Sequence, residues 1–207
     1  MNLELIALSA HVVLTRRSPG LLALLGLVLA GCGAGPRPAP APPCDRTCQD
    51  GVALRGVREA MKFAYNKEVA TRPVGSQDAM TTCYSFDGSQ GGSVHVFGTA
   101  TVNAIQGASI VNLTFDFQDC HWAVPPDATA AENYALTLTG QVREAGTLSV
   151  QPTATTALSI ESSSVSVSGT VYDPPLDYSV SDCTLSLSQS GNAVSGSFCG
   201  RRAGFTF

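Results

Sequence analysis

The chain has 207 residues, 44% of them hydrophobic and 14% charged, with a formal net charge of −4. Its charges are unevenly spread: between Arg72 and Arg201 a single basic residue, Arg143, stands against eleven acids. A nucleic-acid binder needs a basic face to displace counterions from phosphate, so this composition excludes that class.

In chain order, an apolar patch at 3–14 precedes Arg16 and Arg17, and initiation at Val12, Val13 or Leu14 would account for it. Pro19-Gly20 follows the arginine pair where a twin-arginine signal would carry apolar residues, so the pair reads as a plain basic n-region. Residues 21–30 (LLALLGLVLA) are apolar but too short to cross a bilayer, which takes ~20 residues. The run closes on Leu29-Ala30-Gly31-Cys32. These four residues, in that context, resemble the lipobox of bacterial lipoproteins. The resemblance implies a lipoprotein signal peptide over 1–31, cleavage ahead of Cys32, and lipidation of the Cys32 thiol and amine with acyl chains such as palmitate. Two or more chains anchor stably where one is marginal. By the same resemblance, Gly33 in place of an aspartate leans the destination towards the outer membrane of the cell envelope.

Residues 33–43 (GAGPRPAPAPP) carry prolines at 36, 38, 40, 42 and 43. Proline fixes φ and removes a donor, so the segment predicts a polyproline II tether of ~3.1 Å per residue. Beyond it, 44–207 is the size of one domain with one core.

Within that domain, residues 50–70 predict an amphipathic helix: Leu54, Val57, Met61, Ala64, Tyr65 and Val69 recur at the 3.6-residue period. Arg46, Arg55, Arg58, Lys62, Lys67 and Arg72, alternating with Asp50, Glu59 and Glu68, read as its solvated face. From Val94 onward the period changes to two. Alternation runs over 94–102, 111–117, 134–142, 158–160, 165–171, 178–180, 183–187, 194–198 and 205–207, with serine and threonine on the other face. Turn signals separate these runs at Gln106-Gly107, Pro125-Pro126-Asp127, Glu144-Ala145-Gly146, Asp173-Pro174-Pro175 and Ser190-Gly191-Asn192. A phase slip between Val180 and Cys183 predicts a bulge near Ser181-Asp182. The expected fold is α+β, mostly β: an N-terminal amphipathic helix packed on a curved, half-barrel-like antiparallel sheet. The rival is a β-sandwich with a peripheral helix.

Six cysteines remain besides Cys32, and an even number in an exported domain reads as disulfides. Cys183 and Cys199 lie symmetrically about the turn residue Gly191, which pairs them. The apolar pattern wants Leu185 and Phe198 on one face, one residue out of that symmetry, so a bulge at Gly196 is expected to reconcile the two. Cys83–Cys120 and Cys44–Cys48 are the remaining pairs, the last requiring non-helical backbone between its cysteines.

Catalytic candidates are thin. His95 falls on a polar strand face, and His121-Trp122 follows Cys120 at a strand end, a sheet-edge cap sooner than a pocket wall. GxSxG, HExxH and glycine-rich phosphate-loop motifs are missing. Asp116 and Asp119, or Asp173, Asp177 and Asp182, match no calcium-loop spacing, and the sequon at Asn112 lies within a strand. We therefore expect no catalytic residue, metal or cofactor site, and no enzymatic turnover. The expected role is a structural or interaction module of the envelope, bound to membrane through lipid on Cys32. The alternative is a carrier holding a lipid or other apolar ligand between helix and sheet. An apolar cavity there would favour the carrier, and a filled interior the interaction module.

Overall fold

The computed structural model describes residues 43–207 except 73, 85–89, 104–106, 125–128, 130–131 and 150–154. The expected signal peptide, Cys32, residues 33–42 of the expected tether and the turn expected at Pro125-Pro126-Asp127 lie outside the described residues.

Helix α1 spans Arg46–Ala64 and runs on into a π-helical turn, Tyr65–Val69. Asp45 caps it: its carboxylate accepts from the Cys48 N–H at 2.9 Å, satisfying a donor that helix geometry orphans. The helix therefore begins earlier than the expected residue 50. It opens the folded domain and is not N-terminal in the chain. All six apolar positions read from the period are buried. Removing a side chain such as Leu54, Val57 or Met61 from water stabilises by about 1.5–3 kcal/mol each. Gly56 lets the helix approach the sheet, since a Cβ there would lie 2.6 Å from Leu136 Cδ1.

Eight strands follow: β1 (Gly75–Tyr84), β2 (Gln90–Asn103), β3 (Ala108–Ala123), β4 (Tyr134–Ser149), β5 (Ala157–Val171), β6 (Leu176–Ser190), β7 (Ala193–Phe198) and β8 (Arg201–Thr206). They form one antiparallel sheet in sequence order, β1 to β8. Strand residues such as Phe115, Leu138, Val167 and Phe198 share a single core cluster with the helix face. The sandwich alternative is thereby corrected: every strand lies in one sheet, and the helix contributes to its core.

Strand β1 was not expected. Its inward positions are Gln77, Thr81 and Cys83, polar or small residues that hide the alternation from a hydropathy pattern. The turn expected at Glu144-Ala145-Gly146 is instead the interior of β4. Gly146 is there because φ is +133° and a Cβ would meet the Ala157 carbonyl oxygen at 2.3 Å. The two expected segments of β5 are one strand, as are those of β6. Pairing between these strands slips between Val165, opposite Cys183, and Val167, opposite Val180, and Asp182 in that gap has φ +51°, so the bulge falls near Ser181-Asp182 as the phase required.

Candidate functional site

The three disulfides join Cys44–Cys48, Cys83–Cys120 and Cys183–Cys199, with Cα separations of 5.2, 5.4 and 4.7 Å. The first needs no wholly non-helical backbone, because Cys44 precedes the cap while Cys48 sits in the first turn. The hairpin register pairs Leu185 with Phe198, as the apolar pattern demanded. No bulge occurs at Gly196, which lies opposite Leu187 within regular pairing. The symmetry is broken in the turn: Cys199 leaves β7 at φ +49°, its N–H donating to the Thr184 carbonyl at 2.9 Å, and that swing delivers its sulfur to Cys183.

The histidines stay apart in function. His95 Nε2 lies 2.6 Å from Asp78 Oδ1, a cross-strand pair between β2 and β1, with Asp116 paired opposite on β3. His121 packs over Gly91, whose Cβ position lies 2.3 Å from the ring. Trp122 turns towards the helix and packs against Phe63, ring centroids 4.9 Å apart and planes tilted by 41°. The acids considered for calcium serve the sheet. Asp119 accepts from the Thr139 hydroxyl and Asp182 from the Ser164 hydroxyl, each at 3.0 Å and each at a positive-φ residue where the register slips. Asp173 lies in the β5–β6 turn and Asp177 is exposed on β6. Asn112 accepts from Arg143 Nε at 3.0 Å. Among the described residues, no group of three or more His, Cys, Asp or Glu is placed to hold a metal ion.

Two buried charged clusters under the helix were missed, and both correct the reading of a solvated charged face. Asp50 is fully buried. It accepts from Tyr178 Oη at 2.7 Å and from Arg201 Nε and Nη2 at 2.8 and 3.1 Å, with Arg46 Nε at 3.3 Å. Burial, then the hydrogen bond to Asp50, pushes the Tyr178 phenol far up. Nearer the helix C-terminus, Arg58 donates from Nη1 to Glu144 Oε2 at 3.0 Å and from Nε to Gln189 Oε1 at 3.1 Å. Burial raises the Glu144 carboxyl pKa, and the neighbouring guanidinium pulls it back only in part. A signal was present: residues 50, 54 and 58 are spaced four apart, so Asp50 and Arg58 share the stripe of Leu54.

The Arg58–Glu144 pair floors an open cleft of about 470 Å³ bordered by Tyr65, Asn66, Gln189 and Asn192. The interior between helix and sheet is different. Among Leu54, Val57, Met61, Leu185, Leu187 and Phe205 the free space is only about 10 Å³. Protein-family models, curated proteins and solved structures give no match to this chain.

Proposed function

We propose that the protein is an exported lipoprotein, anchored through Cys32, whose domain serves as a non-enzymatic structural or interaction module of the cell envelope. The observation that carries the choice of module over carrier is the filled space under the middle turns of the helix, about 10 Å³ where an acyl chain would need several hundred, while the larger cleft at the helix C-terminal end is floored by the Arg58–Glu144 ion pair. Three disulfides support an oxidising compartment beyond the cytosol. The sheet curls round the helix in this reading. Bulges at Asp119 and Asp182 support it, as do Gly140, Gly169 and Gly196, where a positive φ brings a neighbouring strand's carbonyl within 2.1–2.5 Å of a Cβ position.

Radiolabelled palmitate tests the anchor. Label is expected in the wild-type protein and not in Cys32→Ser, and equal labelling of both would refute the reading. Organic-solvent extracts of the purified protein, analysed for lipid, test the module. They are expected to hold no stoichiometric lipid beyond that on Cys32.

A further inference from the structure

The cleft beside the helix C-terminus has a floor that stability alone does not explain. Glu144 is 1% exposed and Arg58 7% exposed. Burying such a pair strips both ions of water, and a well-packed apolar substitute is often as stable or more so. The pair also has capacity left over. Arg58 engages two of five N–H donors, and Glu144 engages Oε2, while Oε1 has no partner among the described residues. Glu144 and Arg58 both line the cleft.

We propose that this cleft binds a short neutral saccharide, one vicinal diol of which donates to Glu144 Oε1 and accepts from the Arg58 guanidinium. An ionic ligand would gain from one partner and be repelled by the other 3.0 Å away, which favours a neutral one. A trans peptide group sends its N–H and C=O to opposite sides and cannot address both partners at once. Adjacent hydroxyls can, because each both donates and accepts. Around that floor, Asn66 and Asn192 offer further donors and acceptors, and Phe207 offers ring surface for the apolar face of a sugar. Lys62, also on the rim, is 3.6 Å from Glu59 on the same helix and leaves the floor charge-balanced. The site is independent of how the chain is anchored.

Saturation-transfer NMR on the full chain, with maltotriose and N,N′-diacetylchitobiose as probes and trialanine as control, tests this. At least one saccharide is expected to bind at about millimolar strength, weakened about tenfold by Glu144→Gln and about threefold by Asn192→Ala. Asn192 is an exposed turn residue, so the second variant remains decisive should the first misfold. The proposal is overturned if neither saccharide shows transfer, if folded variants bind as tightly as wild type, or if trialanine alone binds.

Discussion

The two buried charged clusters under α1 are built from similar parts and behave differently. Asp50 is held on both oxygens: Tyr178 from β6, Arg201 from β8 and Arg46 from its own helix meet Oδ1, and Arg201 Nε also meets Oδ2. Both arginines keep their side chains at least 40% exposed, so solvent still shares their charge. Glu144 has its hydrogen bond from Arg58 alone, at 8% and 2% side-chain exposure, and borders an open cleft. A buried acid with both oxygens engaged bolts three elements together. One left half engaged carries its desolvation cost without full return, and its capacity is available to something that enters.

The largest expected effect comes from breaking the Asp50 cluster. Asp50→Ala leaves the buried Tyr178 hydroxyl without its acceptor and removes the charge-assisted bonds of two partly exposed arginines, and should lower unfolding free energy by about 3 kcal/mol in urea titrations. A loss below about 1 kcal/mol would mean that the bolt holds little. Next is the disulfide Cys183–Cys199, which pins the turn from which Arg201 departs. Replacing both cysteines by alanine opens a loop of separation 16 and should cost about 3 kcal/mol on the chain-entropy model. An effect confined to the hairpin, with Asp50→Ala unchanged in that background, would uncouple the two.

Glu144 carries a pH dependence whose sign can be tested. Burial places its folded pKa above the ordinary 4.5, so the folded chain holds the proton more tightly than the unfolded one. Its contribution to stability is complete below about pH 4.5 and is lost as pH rises through the raised folded value. Relative to Glu144→Gln, wild type should therefore lose stability on going from pH 4.5 upward, by at most about 1.4 kcal/mol per pH unit. A difference that stays flat, or grows with pH, would mean that Arg58 outweighs burial. The smallest effect is Tyr178→Phe, about 1 kcal/mol, because Arg201 and Arg46 remain on Asp50. A cost as large as that of Asp50→Ala would show the phenol to be the essential partner.

Local pattern carried much of the architecture. Serine alternating with leucine and valine marks β5 and β6 correctly, the slip before Cys183 marks a real bulge, and Leu185 finds Phe198 as its apolar match required. The same logic failed at β1, where Gln77, Thr81 and Cys83 take inward positions that hydropathy assigns to solvent. It also failed at Gly146, whose glycine serves a close strand approach and not a turn. Histidines and scattered acids, which looked the most chemical, became surface pairs and bulge anchors. The cleft went unread because its floor joins residues that look solvated when taken singly.

By itself the sequence determined the periodicities, the order of helix then strands, the apolar stripe of α1 and the C-terminal hairpin with its disulfide. Each of these rests on neighbours a turn, a strand or one hairpin apart, where repeat and covalent reach leave few choices. Tertiary structure decided between the expected single sheet and its sandwich rival, and it alone decided that β1 joins the sheet and that Asp50, Arg58 and Glu144 are buried. Those partners lie 128 residues apart for Tyr178 and Asp50, 151 for Arg201 and Asp50, and 86 for Arg58 and Glu144. A charge at such a distance from its counter-charge reads as solvated until the fold removes the water between them.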